Sequence, residues 1–142
     1  MILKLPRCLI NQLFRHAQTA PMAEICGLIG KNQVNQFFCY AIPNIATQPS
    51  HRFEMSPQQQ IAALRTMREQ HQGLFAIYHS HPHSEALPSW LDTQLAYYPE
   101  AFYLIISLYS EGILQLRGFQ LQQAIFKEVD LVVELLQPLA AN

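Results

Sequence analysis

Residues 77–92 read IYHSHPHSEALPSWLD, and three of the chain's six histidines, His79, His81 and His83, fall within five positions of this stretch. His79 and His81 stand at i and i+2, at the end of the apolar run 74–79 (LFAIYH), which has the length and composition of a buried central strand. Strand alternation sends both imidazoles to one side and Ser80 to the other. Two nitrogen donors converging on one point are the beginning of a zinc site, and a catalytic zinc wants three protein ligands and an open position. Asp92 can complete the set. It falls on the first turn of a helix that Ser89 would open, and the proline-bearing loop before it can fold that turn back over the strand end. Two histidines and one carboxylate leave the metal a net positive charge with which to acidify bound water. Ser89 and Asp92 also match S-x-x-D, a capping box, and that alone accounts for both.

These residues need a scaffold to hold them, and the rest of the chain supplies one. Leu9, Ile10, Leu13, Phe14 and Ala17 recur at helical spacing, which predicts an amphipathic helix over 6–19 with Pro6 near its first turn. EICGLIGKNQVNQFFCYAIPN (24–44) has two apolar runs, 25–30 and 34–42, around a Gly-Lys-Asn-Gln turn signal, and reads as a hairpin. SPQQQIAALRTMREQHQG (56–73) opens with Ser56 as N-cap, Pro57 at the first helical position and Gln59 placed for a capping box. That helix is expected to end at Gly73. A short helix starts at Ser89 and stops before Pro99. AFYLIISL (101–108) and ILQLRGFQL (113–121) predict a second hairpin. AIFKEVDLVVELL satisfies both the helical and the alternating template and is read as a strand to about residue 133. The expected fold is α/β, or α+β under a stricter definition: a mixed sheet flanked by helices, in one domain covering residues 1–142.

Composition narrows the function. Half of the 142 residues are hydrophobic and 13% are charged, as in a globular chain with a real core. The net charge is −1 with no basic run, which argues against nucleic acid as the principal partner. No apolar run approaches a membrane span, and MILKLPRCLI carries Lys4, Pro6 and Arg7 inside what would have to be a signal core. Cys8, Cys26 and Cys39 are odd in number and lack CxxC spacing, so a reducing cytoplasm is the expected compartment.

His79-Ser80-His81, seven residues, then Ser89-Trp90-Leu91-Asp92 is H-S-H-x7-S-x-x-D. This resembles the signature of the JAMM (MPN+, Mov34/PAD-1) zinc metallopeptidases, which also require an upstream glutamate. Glu24, in EICGLIG, fits that requirement, and AIPN (41–44) followed by HRFEMSP (51–57) is similar to the family's middle segment. The resemblance spans about residues 24–108 and is nearest to the short prokaryotic members. It implies a JAMM/MPN-like, cytidine-deaminase-like fold, with Zn2+ bound by His79, His81 and Asp92. It also implies that Glu24 holds the attacking water as general base and then hands its proton to the leaving amine, while Ser89 hydrogen-bonds the oxyanion. The substrate it implies is a peptide or isopeptide bond after the C-terminal Gly-Gly tail of a small ubiquitin-like or sulfur-carrier protein. A non-catalytic MPN-type interaction module and a zinc hydrolase of another amide are the alternatives.

Five further residues carry weaker expectations. Cys26 could share a face with Glu24, but a buried structural thiol is the commoner outcome. His83 reads as an exposed loop residue, Trp90 as packing at a helix start. His51 and Arg52 sit in a loop that could touch substrate.

Overall fold

The computed structural model describes residues 1–94, 96, 98–110 and 112–135. In chain order the elements are β1 (Ile2–Pro6), α1 (Arg7–Gln18), β2 (Cys26–Lys31), β3 (Phe37–Ile42), α2 (Pro57–Glu69), β4 (Gly73–His81), α3 (Trp90–Gln94), β5 (Phe102–Ser107), β6 (Gln115–Gln122) and β7 (Ile125–Glu134). The strands form one seven-stranded sheet in the order β1-β7-β6-β5-β4-β2-β3. β1/β7 and β4/β5 are parallel, and the other neighbours are antiparallel. This is the expected mixed sheet flanked by helices.

Each face of the sheet has its own core, as the period of two requires. Leu9, Leu13 and Ala17 line one stripe of α1 and pack on Leu5, Ile29, Tyr78, Leu104 and Ile106. On the opposite face Ala63 and Met67 of α2 cover Cys26, Leu28, Ile77 and Ile105. Each large aliphatic side chain so buried is worth about 1.5–3 kcal/mol. Between the two layers lies β4, whose last six residues are all buried. A histidine near its end is therefore held by packing on both sides.

Three local features differ from the sequence reading. Residues 2–6 form an edge strand on β7, where the sequence reading named no element before the helix expected from residue 6. Its inward residues are just Leu3 and Leu5, too few for a pattern to stand out, and the strand becomes favourable only once β7 is beside it. α2 stops at Glu69, not Gly73; His71 takes the left-handed conformation at φ 57° and Gly73 already opens β4. The β6–β7 connection turns on Gln123 and Ala124, both at positive φ (51° and 64°), where a tight hairpin normally uses Asn-Gly. The ambiguous tail is a strand here, through Glu134. α3 is a single short turn ending at Gln94; positions 95 and 97 of the expected helix, and 136 of the tail, lie outside the described residues.

Gly27 shows how tightly the central strands are fitted. A β-carbon there would meet the ring and hydroxyl of Tyr78, and would stand 2.6 Å from the Tyr40 carbonyl oxygen. Tyr78 is fully buried and its hydroxyl is 2.8 Å from His16 Nδ1, so it has no free space to move into. Gly27→Ala should therefore destabilise the fold by about 1–3 kcal/mol, the usual cost of overpacking. A urea midpoint equal to that of the parent protein would contradict this packing.

Candidate metal centre

The site is built where β2 begins and β4 ends. The two strands are antiparallel with Cys26 opposite His79, so the residue two before Cys26 comes level with the residue two beyond His79. That pair is Glu24 and His81. Alternation puts Glu24, His79 and His81 on the α2 face. Just past the regular ladder, the Ser80 N–H donates to the Ile25 carbonyl oxygen (3.0 Å) and the Ile25 N–H donates to Ser80 Oγ (2.9 Å). Ser80, fully buried on the face away from the histidines, thus clamps the residue next to Glu24.

Asp92 arrives from α3. Its backbone N–H donates to Ser89 Oγ (3.0 Å), while its Oδ2 accepts from the Ser89 N–H (2.8 Å). This is the reciprocal capping pattern, and the same Oδ2 lies 3.1 Å from His79 Nε2 and 3.2 Å from His81 Nε2. Capping and facing the histidines are therefore not competing explanations for Asp92. The cap holds the carboxylate in the orientation that presents it.

The donor set fits a metal ion. His79 Nε2, His81 Nε2 and Asp92 Oδ2 are mutually 3.1–3.2 Å apart. The edge of a tetrahedron with bonds of about 2.0–2.1 Å, those of zinc to nitrogen or oxygen, is about 3.3 Å. His81 Nδ1 is 2.8 Å from the Glu85 carbonyl oxygen, which can only accept, so Nδ1 carries the proton and a neutral His81 turns its Nε2 lone pair toward the cluster. Burial works against charge on His81, but without a cation Asp92 and the Glu85 carbonyl oxygen outweigh it and favour the protonated form, so proton and metal compete for the same nitrogen. Glu24 joins this group: one ligand atom from each of Glu24, His79, His81 and Asp92 lies within 4.8 Å of all the others. Glu24 Oε1 is buried with no hydrogen-bond partner, as is His79 Nδ1. The arrangement is a metal site with an unpaired carboxylate beside it.

The electrostatics follow from this burial. Desolvation pushes the Glu24 carboxyl up to about 8, with smaller opposing effects of His81 and Asp92. That value belongs to the metal-free protein, because an adjacent cation favours the carboxylate. Burial also works against the charge of Asp92, yet the histidines and the Ser89 N–H outweigh it and hold this carboxyl well below its ordinary range. Burial pushes His79 down and so favours the neutral, ligating form.

Asn44 organises the other wall, and the sequence reading did not single it out as a functional residue. Its Nδ2 donates to the Glu24 carbonyl oxygen (2.8 Å) and the Arg52 carbonyl oxygen (3.0 Å), and its Oδ1 accepts from the N–H groups of Ala46 and Glu54 (both 3.0 Å). The Glu24 N–H is held by the Pro49 carbonyl oxygen at 2.7 Å. Phe53, from the same loop, stacks on the His79 ring at 4.5 Å between centroids. The available signal was an asparagine directly after a proline at the end of an apolar run, which marks a turn but names no partner.

The remaining residues flagged in the sequence lie around the centre. Cys26 is fully buried, donates to the Ile42 carbonyl oxygen (3.3 Å), and burial raises its thiol to about 12, so it is structural. His83 and His51 are exposed, their ring centroids 6.4 Å apart. Trp90 is 76% exposed, so it does not pack at the helix start as expected. Ser89 is exposed and borders a shallow cavity shared with His81 and Leu87.

Residues 6–118 match the family described as prokaryotic homologs of the JAB domain. The desampylase of Haloferax volcanii is 32% identical over 89 residues, covering 61% of this chain and 64% of that enzyme, so the match spans less than two thirds of its length. The CysO-cysteine peptidase of Mycobacterium bovis is 28% identical over 114 residues, covering 80% of this chain and 78% of the relative. A Desulfitobacterium hafniense protein solved in solution superposes with a TM-score of 0.81 at 28% identity, covering 95% of this chain and 94% of that one. No helix among the described residues is long and apolar enough to cross a membrane.

The Ser80 clamp yields a direct test. Ser80→Ala leaves the buried Ile25 N–H without its acceptor, which costs about 1–3 kcal/mol. Hydrogen exchange of the Ile25 amide should accelerate in this variant. An unchanged exchange rate would show that Ser80 does not hold the β2 entry.

Proposed function

The chain belongs to the family of prokaryotic JAB-domain homologues, and from that membership we propose that it is a zinc metallopeptidase. Its substrate on this reading is a peptide or isopeptide bond after the C-terminal Gly-Gly tail of a small ubiquitin-like or sulfur-carrier protein. The observation that carries the reading is the convergence of Glu24, unpaired and buried, on the three donors His79, His81 and Asp92. One named relative is a desampylase and another a CysO-cysteine peptidase, which supports a peptidase reading with a protein substrate.

His79, His81 and Asp92 would hold the zinc, and zinc at that point supplies Lewis acidity and an acidified water. Glu24 takes the proton of the attacking water and delivers it to the leaving nitrogen as the C–N bond breaks. A cation beside it would favour the charged carboxylate that accepts this proton. Ser89 Oγ receives the Asp92 N–H through a lone pair, which leaves its own O–H free to donate to the carbonyl oxygen as negative charge develops there. A tail of two glycines suits a site whose donors sit at a buried strand end, because a chain without side chains can approach them closely.

Two variants separate metal binding from chemistry. His79→Ala should lose stoichiometric zinc. Glu24→Gln should keep the metal, while turnover of a carrier fusion falls by roughly 10²–10⁴-fold, the usual worth of general acid–base catalysis. Elemental analysis paired with a cleavage assay reads both. Full metal in the first variant or near-normal turnover in the second would remove that residue from its role.

Ser89→Ala distinguishes an oxyanion donor from a cap. A cap alone costs about 1 kcal/mol of stability and leaves turnover per folded, metallated molecule intact. An oxyanion donor is worth about 10²–10³ in kcat. The expected loss lies in kcat more than in KM, since the contact strengthens only in the transition state. Zinc content must be measured on the same sample, because a displaced α3 would carry Asp92 with it.

A further inference from the structure

His51 and His83 flank the candidate centre without belonging to it. They come from different loops, His51 from the β3–α2 connection and His83 from the β4–α3 connection, yet their ring centroids are 6.4 Å apart. Both are exposed, and among the described residues neither ring has a hydrogen-bond or ion-pair partner. A nitrogen bound to zinc at about 2.0–2.1 Å leaves its ring centroid roughly 3.2 Å from the metal, so two imidazoles on one tetrahedral ion have centroids about 5 Å apart. His79 and His81 stand at 4.9 Å. His51 and His83 have only about 1.5 Å more to close, which rotation of two exposed side chains supplies.

The backbone beneath each ring is anchored. The His51 and Arg52 N–H groups both donate to the Gln48 carbonyl oxygen (3.1 and 3.2 Å), and the Arg52 carbonyl oxygen accepts from Asn44. Beside His83, the Ser84 carbonyl oxygen accepts from Ser107 Oγ at 2.6 Å, and the Glu85 carbonyl oxygen is 2.8 Å from His81 Nδ1. Two donors fixed at the main chain and free at the side chain make a chelate, since binding to the first ring raises the effective concentration of the second.

The place of the pair decides what an ion there would do. The Glu24 N–H is held by Pro49, two residues before His51. His83 borders the shallow cavity that Ser89 and His81 also border. A link from His51 to His83 therefore runs from the loop beside Glu24 to the wall that carries Ser89, across the opening through which a substrate carbonyl would reach both. Glu85 borders the same shallow cavity and adds a carboxylate near the bound charge, whereas Arg52 borders the larger cavity.

We propose that His51 and His83 form a second, weaker zinc site, and that an ion bound there ties the two loops together and closes the centre to substrate. Imidazole donors favour zinc over magnesium or calcium, which prefer oxygen. Two protein ligands, with water completing the shell, hold the ion less tightly than three, so the site fills only after the centre has. Binding stands on the two rings alone, whereas closure against substrate rests on the metallopeptidase reading.

The test starts from the full chain carrying one equivalent of zinc and adds further zinc sulfate. Calorimetry should show one more equivalent bound, and hydrogen exchange in the loops 43–56 and 82–89 should slow as it binds. Cleavage of a carrier fusion, referred to each protein's own rate before the addition, should fall by roughly tenfold or more. Even an outer partner of a metal ligand is worth roughly 10–100-fold in affinity, so His51→Gln or His83→Gln should weaken the second site at least that much and relieve the inhibition. The first zinc should stay in both variants. No second equivalent in the parent protein, or an unchanged second affinity in either variant, overturns the site. Histidine-dependent binding that leaves turnover unchanged or raises it overturns the closure, and inhibition that persists in both variants places the extra zinc elsewhere. Failure to cleave any fusion at one equivalent counts against the peptidase reading instead; calorimetry and hydrogen exchange then still decide the site and the joining of the loops.

Discussion

The register between the entry of β2 and the end of β4 is the constraint on which the site depends. Glu24 meets the histidines only because Cys26 stands opposite His79 and Ser80 extends the pairing by one step to Ile25. A slip of one residue would turn Glu24 to the α1 face and separate it from both imidazoles. Apolar packing forbids that slip. Cys26, Leu28 and Ile77 belong to the core under α2, and Ile25, Ile29, Ala76 and Tyr78 to the core under α1. The hydrophobic alternation that stabilises the sheet is therefore the same alternation that aims the donors.

What this register brings together is unfavourable in isolation. Glu24, His79 and His81 are each at most 5% exposed, and Glu24 Oε1 and His79 Nδ1 have no partner. Burying polar atoms unsatisfied costs free energy that the site itself does not recover. The surrounding sheet, with core on both faces, offsets it. A cation at the focus of the cluster would be coordinated by these donors, and would favour the charged form of Glu24 that base chemistry requires. Rigidity at the strand end is thus a functional property.

The two sides of the centre are chemically different. Toward the loop bound by Asn44 the wall is a cavity whose mainly apolar lining also includes Arg52 and Glu54. Toward Ser89 and His81 it is shallow and more open, with Leu87 and the exposed Trp90 nearby in sequence. One of these walls is carried by the β3–α2 connection and the other by the β4–α3 connection. Both connections leave the same end of the sheet, which is how two separate loops come to share one centre.

Much of this was legible in the chain itself. The i, i+2 histidines after an apolar run, the S-x-x-D capping pattern and the glutamate before the first hairpin depend on local rules: strand alternation, helix capping and turn chemistry. Those rules operate within a few residues, so a sequence carries them whole. They also supplied α1, α2, both hairpins and the strand character of β4. The edge strand β1 was not legible, because its pairing with β7 joins residues more than a hundred positions apart. Nor was the stop of α2 at Glu69, with His71 left-handed after it, or the turn at Gln123-Ala124, since left-handed backbone at such residues is imposed by the elements on either side. The roles of Asn44, which bonds four backbone groups, and of Arg52, whose Nε is buried without a partner, exist only once the α1–β2 and β3–α2 connections are in place. Residue type and spacing determined which groups could meet at the centre. Packing of the sheet decided which of them do and what lies beside them, because only long-range contacts fix a strand register and bury a charge.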